Sequence, residues 1–266
     1  MIFNELPLWI MPEIAICAYL WVGGKQLANI KQQRADSRWL LLITLIALMA
    51  HALFLYQQID VGHGGSQNLS LVNLISQVLW IMVCFVVVGN LLGAFVNLGM
   101  IVYPLAAVSI IVAWFIPGRM IIDSAGQPKQ LWHILLSLLA FSVIAMATLH
   151  SLVYAIQDIL LRRHRAGVWL QWLPPLQTME QLLFQLIVLG FVLLTIVLSS
   201  SLWLFADALS SEMLSKAIFT LLSWLVFAIL LGGRYGYGWR GQVAIRWTLL
   251  GMLLLTLAFL AIWIRG

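Results

Sequence analysis

Eight stretches of this chain are almost unbroken in apolar residues, and the segments between them are short and polar. They run over about 8–29, 39–59, 70–89, 98–115, 131–160, 179–204, 214–233 and 244–264. Each approaches the roughly 20 apolar residues that a helix needs to cross a bilayer. Backbone polar groups in hydrocarbon must be satisfied internally, which leaves helices or a closed barrel. Apolar residues here run continuously and do not alternate with period two, so the pattern predicts helices. The expected fold is all-α: a polytopic membrane protein, a bundle of about eight transmembrane helices forming a single integral membrane domain over 1–266. The fifth stretch is long enough to project beyond the bilayer. The most informative region is Leu186 to Gly241, where two crossings pin the short polar turn ADALSSEML between them and end in the basic exit RYGYGWRG.

Composition agrees with this pattern. Hydrophobic residues make up 63% of the chain and charged residues 9%, which sets water aside as the main solvent. Membrane lipid is therefore the first partner. A net charge of +5 raises the question of nucleic acid, but the 14 basic residues are dispersed at the ends of apolar runs. They read as topology signals, with no phosphate-binding patch and no nucleic-acid partner. Alternate loops hold Lys25, Lys31, Arg34, Arg38, Arg162, Arg163, Arg165, Arg234, Arg240 and Arg246. The remaining loops and the termini hold only Arg119, Lys129, Lys216 and Arg265. Ten cations against four predict that both termini lie outside the cytoplasm. The N-terminus lacks the basic leader and cleavage site of a signal peptide, so the first span is expected to stay in place.

Little catalytic apparatus is visible. There is no Walker-type loop, no HExxH, no GxSxG and no dinucleotide fingerprint, so hydrolase and NTPase chemistry find no support and the protein is expected not to be an enzyme. Cys17 and Cys84 stand singly inside apolar runs. Neither they nor any two histidines have zinc-ligand spacing. Haem stays open, because iron needs only one or two neutral imidazoles in a mostly apolar slot.

Among the five histidines, His51 falls within the second span, where an imidazole is costly unless paired. It is a site candidate, with a neutral ring bonded to a neighbouring helix as the plainer reading. His63 lies in the glycine-rich loop DVGHGGSQN, where solvation also explains it. His133 stands beside Trp132 at the predicted outer interface, within reach of water or a cofactor edge. His150 follows on the same helix at roughly 25 Å, too far to share a metal with it. His164, inside RRHR, reads as part of the solvated basic cluster. Polar side chains at Asn68, Ser70, Asn73, Ser76 and Gln77 recur at helix-gluing spacing. Glu13 reads as a wet carboxylate, and Glu180 as a carboxylate in the first turn of its helix, complementing the dipole. Trp203 and Phe205 suit an aromatic belt or, alternatively, a ligand platform.

At this point the chain resembles the cytochrome c assembly superfamily, the CcsA and CcmC type of haem-handling membrane protein, and within it a smaller YpjD-like branch. HGGSQNLSLVNL resembles the family's polar stretch entering a span, and LWHILLSLLAFSVIA the helix carrying an external histidine. LGFVLLTIVLSSSLW, KAIFTLLSWLVFAILL and GWRG resemble its terminal block. The resemblance implies an eight-span protein of a bacterial inner membrane, with haem binding or c-type cytochrome biogenesis at the outer face. It implies haem as cofactor, with His133 in the position of an external ligand to haem iron and His51 or His63 as the histidine of the early spans. Other cytochrome c assembly components are the implied partners. The pattern departs from the family in the tryptophan-free loop ADALSSEML and in Gly232, which stands near the place of a span-ending histidine. A second reading follows from these departures: a cofactor-free accessory or regulatory subunit working with a membrane transporter, or a small-solute transporter, on the same scaffold.

Overall fold

A computed structural model describes residues 10–32, 38–61, 66–91, 98–123, 128–163, 173–204 and 211–261. Among them are eight helices: α1 (Met11–Gln32), α2 (Arg38–Ile59), α3 (Leu71–Leu91), α4 (Gly99–Phe115), α5 (Pro128–Arg162), α6 (Leu176–Leu204), α7 (Ser211–Tyr237) and α8 (Gln242–Leu260). Six of them, α2, α3, α5, α6, α7 and α8, are long and apolar enough to cross a membrane, while α4 is apolar but shorter, at 17 residues. The helix α1 has 22 residues and carries Glu13, Lys25 and Lys31 in its sequence. At 35 residues, α5 has the expected extra length. Large apolar side chains such as Ile46, Met49, Val192 and Leu253 are exposed, as lipid-facing positions require. The chain divides into two compact units, the first formed by Met1–Gln127 with Gln171–Leu173, and the second by Pro128–Leu170 with Pro174–Gly266.

In the first unit, α1 packs against α2 and α4, and α3 against α2 and α4. Small side chains let these helices approach closely. Ala106, Ala107, Ile110 and Ala113 of α4 are fully buried, as are Ala15, Tyr19 and Val22 of α1. Gly99 is required by this closeness, since a β-carbon there would stand 2.6 Å from Gln26 Oε1 and from the Tyr103 ring. Pro104 inside α4 removes one helical N–H, and its ring faces Gly23 of α1.

One feature departs from the purely helical expectation. Three short strands, β1 (Asp60–Val61), β2 (Ser66–Asn68) and β3 (Ile121–Asp123), form an antiparallel sheet in the order β1-β2-β3. It joins the α2–α3 connection to the segment after α4, where irregular backbone needs partners. Asn68 supplies several of them: Nδ2 donates to the Gly118 carbonyl (2.9 Å) and Oδ1 accepts from the Met120 N–H (2.9 Å). The Leu69 N–H donates to the Met120 carbonyl at 2.8 Å, and Asn73 Nδ2 to the carbonyls of Asn68 and Gln58. Asn68 and Asn73, expected to glue helices, knit the turn over the helix ends instead.

In the second unit, α5 packs on α6 and α8, and α7 on α6 and α8. Its core includes Val143, Met146 and Ala147 of α5, Leu183 and Ile187 of α6, Leu230 of α7 and Ala244 of α8. Gly251 of α8 lies under the Phe227 ring, and its carbonyl accepts from Ser223 Oγ at 2.8 Å. Hydroxyls within the apolar helices mostly bond their own backbone one turn back, as in Ser142 to Leu138 and Thr248 to Ala244. Thr195 does this to Phe191 and also accepts from Trp224 Nε1 at 2.8 Å, joining α6 to α7. The glycines of RYGYGWRG make the tight turn that their spacing suggests. Gly238 and Gly241 have φ of +67° and +60°, and Trp239 folds back against Gly233.

Candidate functional site

The described histidines occupy three different settings. His51, on α2 in the first unit, is 0% exposed. Its Nε2 lies 2.9 Å from Ser76 Oγ of α3, and its Nδ1 lies 3.4 Å from the Tyr19 hydroxyl of α1. Ser109 Oγ of α4 donates to the Ala106 carbonyl at 2.8 Å and stands 3.4 Å from Ser76 Oγ. The assignment that gives every proton one acceptor runs in a single direction. Tyr19 donates to Nδ1, Nε2–H donates to Ser76, Ser76 donates to Ser109, and Ser109 ends the chain on a carbonyl. Tyr19 also stacks on Tyr103 of α4 at 6.0 Å. Helices α1 and α3 thus meet α2 at one imidazole, α4 joins through Ser109 and Tyr103, and both ring nitrogens are engaged.

His133, on the first turns of α5 in the second unit, is only half-buried. Its Nδ1 lies 2.8 Å from Ser200 Oγ near the end of α6. Ser200 donates its own proton to the Val197 carbonyl at 2.9 Å. The serine oxygen therefore accepts from Nδ1–H, and the neutral ring carries its lone pair on Nε2. A hydrogen-bonded Nδ1 that orients the ring and raises the basicity of the other nitrogen is the usual support for a metal-binding imidazole. The surroundings also suit a large anionic cofactor. Lys129, four residues earlier on the same face of α5, places its ammonium 4.5 Å from the centre of the Trp203 ring, three residues beyond Ser200 on α6. Lys216 of α7 also acts electrostatically on the imidazole.

His150 is buried, and its Nε2 lies 2.9 Å from the Met179 carbonyl, tying α5 to α6. His63 and His164 lie outside the described residues. No cluster of three or more His, Cys, Asp or Glu able to hold a metal occurs among the described residues. Cys17 and Cys84 are free thiols.

At the opposite end of the second unit, Glu180 requires a correction. The helix α6 begins at Leu176, so Glu180 lies beyond its first turn and does not cap it. Its Oε1 accepts from Arg234 Nη1 at 2.6 Å, and its Oε2 from the Tyr154 hydroxyl at 3.4 Å. Arg234, expected only to mark the cytoplasmic side, also donates to the Trp239 carbonyl and covers the Phe184 ring. Asp158 accepts from Arg162 and from Gln242 Nε2 of α8. Glu13 is exposed, as expected of a wet carboxylate.

The sequence did not single out Tyr19 and Ser200 as partners of these imidazoles, since neither carries a pattern that sets it apart from its neighbours.

Comparison with known proteins follows the same outline. The model of the family described as cytochrome C assembly protein matches residues 39–265. The inner membrane protein YpjD of Escherichia coli strain K12 is 32% identical over 224 residues, covering 84% of this chain and 84% of that protein. Proteins of the same name from the O6:H1 and O157:H7 strains match to the same extent. No solved structure matches the chain.

Proposed function

We infer the function from one premise: the chain belongs to the cytochrome c assembly protein family. In this reading it is a multi-pass inner-membrane protein without enzymatic activity, crossing the bilayer eight times with both termini outside the cytoplasm. It assists c-type cytochrome assembly by holding haem at the outer face, with His133 Nε2 as the ligand to iron. Two further features support the reading. The relatives are inner membrane proteins by name, and the ends of α5, α6 and α7 that carry Lys129, Ser200 and Lys216 lie at one end of the second unit. The observation that carries it is the hydrogen-bonded run from Nδ1–H of His133 through Ser200 to the Val197 carbonyl, which orients the half-buried ring at the end of its helix.

Haem would supply the iron and the macrocycle. The chain would supply the imidazole, its orientation and the polar rim. Detergent-purified protein from haem-replete cells is expected to show a Soret band that is lost in His133→Ala. A haem-free wild-type protein that also fails to bind added ferric haem would overturn the reading.

A second reading rests on the tryptophan-free turn ADALSSEML: an accessory or regulatory subunit, or a small-solute transporter, that keeps the bundle without the cofactor. Unimpaired c-type cytochrome maturation in a deletion strain, together with a specific co-purifying transporter, distinguishes it from the first.

A further inference from the structure

The charged side chains at the Glu180 end of the second unit fall into two classes. Asp158 is the only acidic residue of α5 and Glu180 the only one of α6, and α8 has none. Both carboxylates are engaged within the unit. Glu180 accepts from Arg234 and Tyr154, while Asp158 accepts from Arg162 Nε at 3.0 Å and from Gln242 Nε2 at 2.9 Å, with 11% of its side chain exposed. The cations are left facing outward. The Arg162 side chain is 73% exposed despite that bond, and Arg163, Arg240 and Arg246 are exposed and form no ion pair among the described residues.

The same contacts bring these arginines to one place. Asp158 ties the last turns of α5 to the first residue of α8, and the Tyr154 hydroxyl lies 4.0 Å from where a β-carbon on Gly241 would stand. The turn leading into α8 is braced as well. The Trp239 N–H donates to the Gly233 carbonyl at 3.1 Å, its carbonyl accepts from Arg234, and its ring meets that of Trp247 at 5.6 Å. Arg240 follows the first of these tryptophans and Arg246 precedes the second, so both guanidinium groups stem from a fixed backbone. Tyr235 and Tyr237, 81% and 85% exposed, end α7 beside them.

We propose that this end of the second unit binds the phosphate of an acidic phospholipid headgroup, held by Arg162 and Arg163 of α5 and by Arg240 and Arg246 at the start of α8. A phosphodiester offers what the chain itself does not, acceptor oxygens for forked guanidinium N–H pairs. Exposed tyrosines beside half-buried tryptophans suit the headgroup layer of a bilayer, which favours a lipid over a soluble anion. The site lies at the other end of the unit from His133 and is independent of haem.

The test uses the full-length protein stripped of lipid in neutral detergent, with native mass spectrometry reading the dissociation constant of the first lipid adduct. Phosphatidylglycerol is expected to bind more than about tenfold tighter than phosphatidylcholine of the same acyl chains. Inorganic phosphate at equal concentration should not displace it. Arg240→Gln with Arg246→Gln should weaken phosphatidylglycerol binding roughly 25-fold, about fivefold for each cation. Lysine at both positions keeps the charge but loses the fork, so it should recover only part of the affinity. Lys25→Gln with Arg38→Gln, which removes two exposed cations from the first unit, should change nothing. Equal unfolding midpoints in phosphatidylcholine micelles certify that the variants are folded, and the lysine pair carries the test if the glutamine pair is not. Equal binding of the two lipids, an equal loss in the Lys25 and Arg38 pair, or displacement by inorganic phosphate overturns the site.

Discussion

His51 and His133 are the same residue in two units of one chain, and their neighbours give them contrasting surroundings. Around His51, hydroxyls from α1 and α3 satisfy both ring nitrogens, a third from α4 stands behind Ser76, and no surface remains. Around His133, Ser200 takes the Nδ1 proton, and the ring stays half-buried at a helix end, with the Lys129 ammonium on the Trp203 ring one turn away. Full burial between two hydroxyls suits a cross-brace, whereas partial burial against an oriented serine suits the ligand role proposed for His133. The deciding atom in each case is a serine oxygen. Ser76 sits inside a chain of donors, and Ser200 is itself spent on a carbonyl.

This contrast can be broken at either end. The largest effect is expected from His133→Ala, which should remove the haem spectrum entirely while shifting thermal unfolding little. His51→Ala should do the reverse. Losing a fully buried ring and stranding two hydroxyls costs about 2–4 kcal/mol, measured as a lower unfolding midpoint in detergent, with the Soret band of the folded fraction unchanged. Loss of the Soret band in folded His51→Ala would erase the distinction. Ser200→Ala comes next. It leaves the His133 ring without its orienting acceptor and should weaken haem binding by about tenfold, the low end for losing such a partner, with Ser200→Thr restoring much of it. The smallest effect belongs to Ser76→Ala, which interrupts the His51 run at one bond and should cost about 1 kcal/mol of stability, with haem affinity unaltered.

The helices were legible because the thickness of hydrocarbon sets their length and the apolar runs record it. The run at 98–115 became Gly99–Phe115, and that at 39–59 became Arg38–Ile59. The three strands left no such record, since elements of two or three residues are too short to show a period. Glu180 was misread over a small boundary error: a helix beginning at Leu176 and not near 179 moves the carboxylate past the first turn and toward Arg234. His133 could be picked out by its residue type and place, but Ser200 could not. It is the middle of three consecutive serines, spaced about 100° apart around α6, and only the packing decides which of them meets α5. His63 lies outside the described residues.

The pairing of Asn68 with Gly118 and Met120 spans about fifty positions of chain, and this imposes an order on synthesis. When residue 68 leaves the ribosome, the two backbone groups that will hold it have not yet been made. The hairpin of α2 and α3 must enter the bilayer with that turn unfastened and wait for α4 to follow. A nascent chain that has emerged only as far as Phe115 would carry α1 to α4 and no clasp, and release of the next handful of residues would close it.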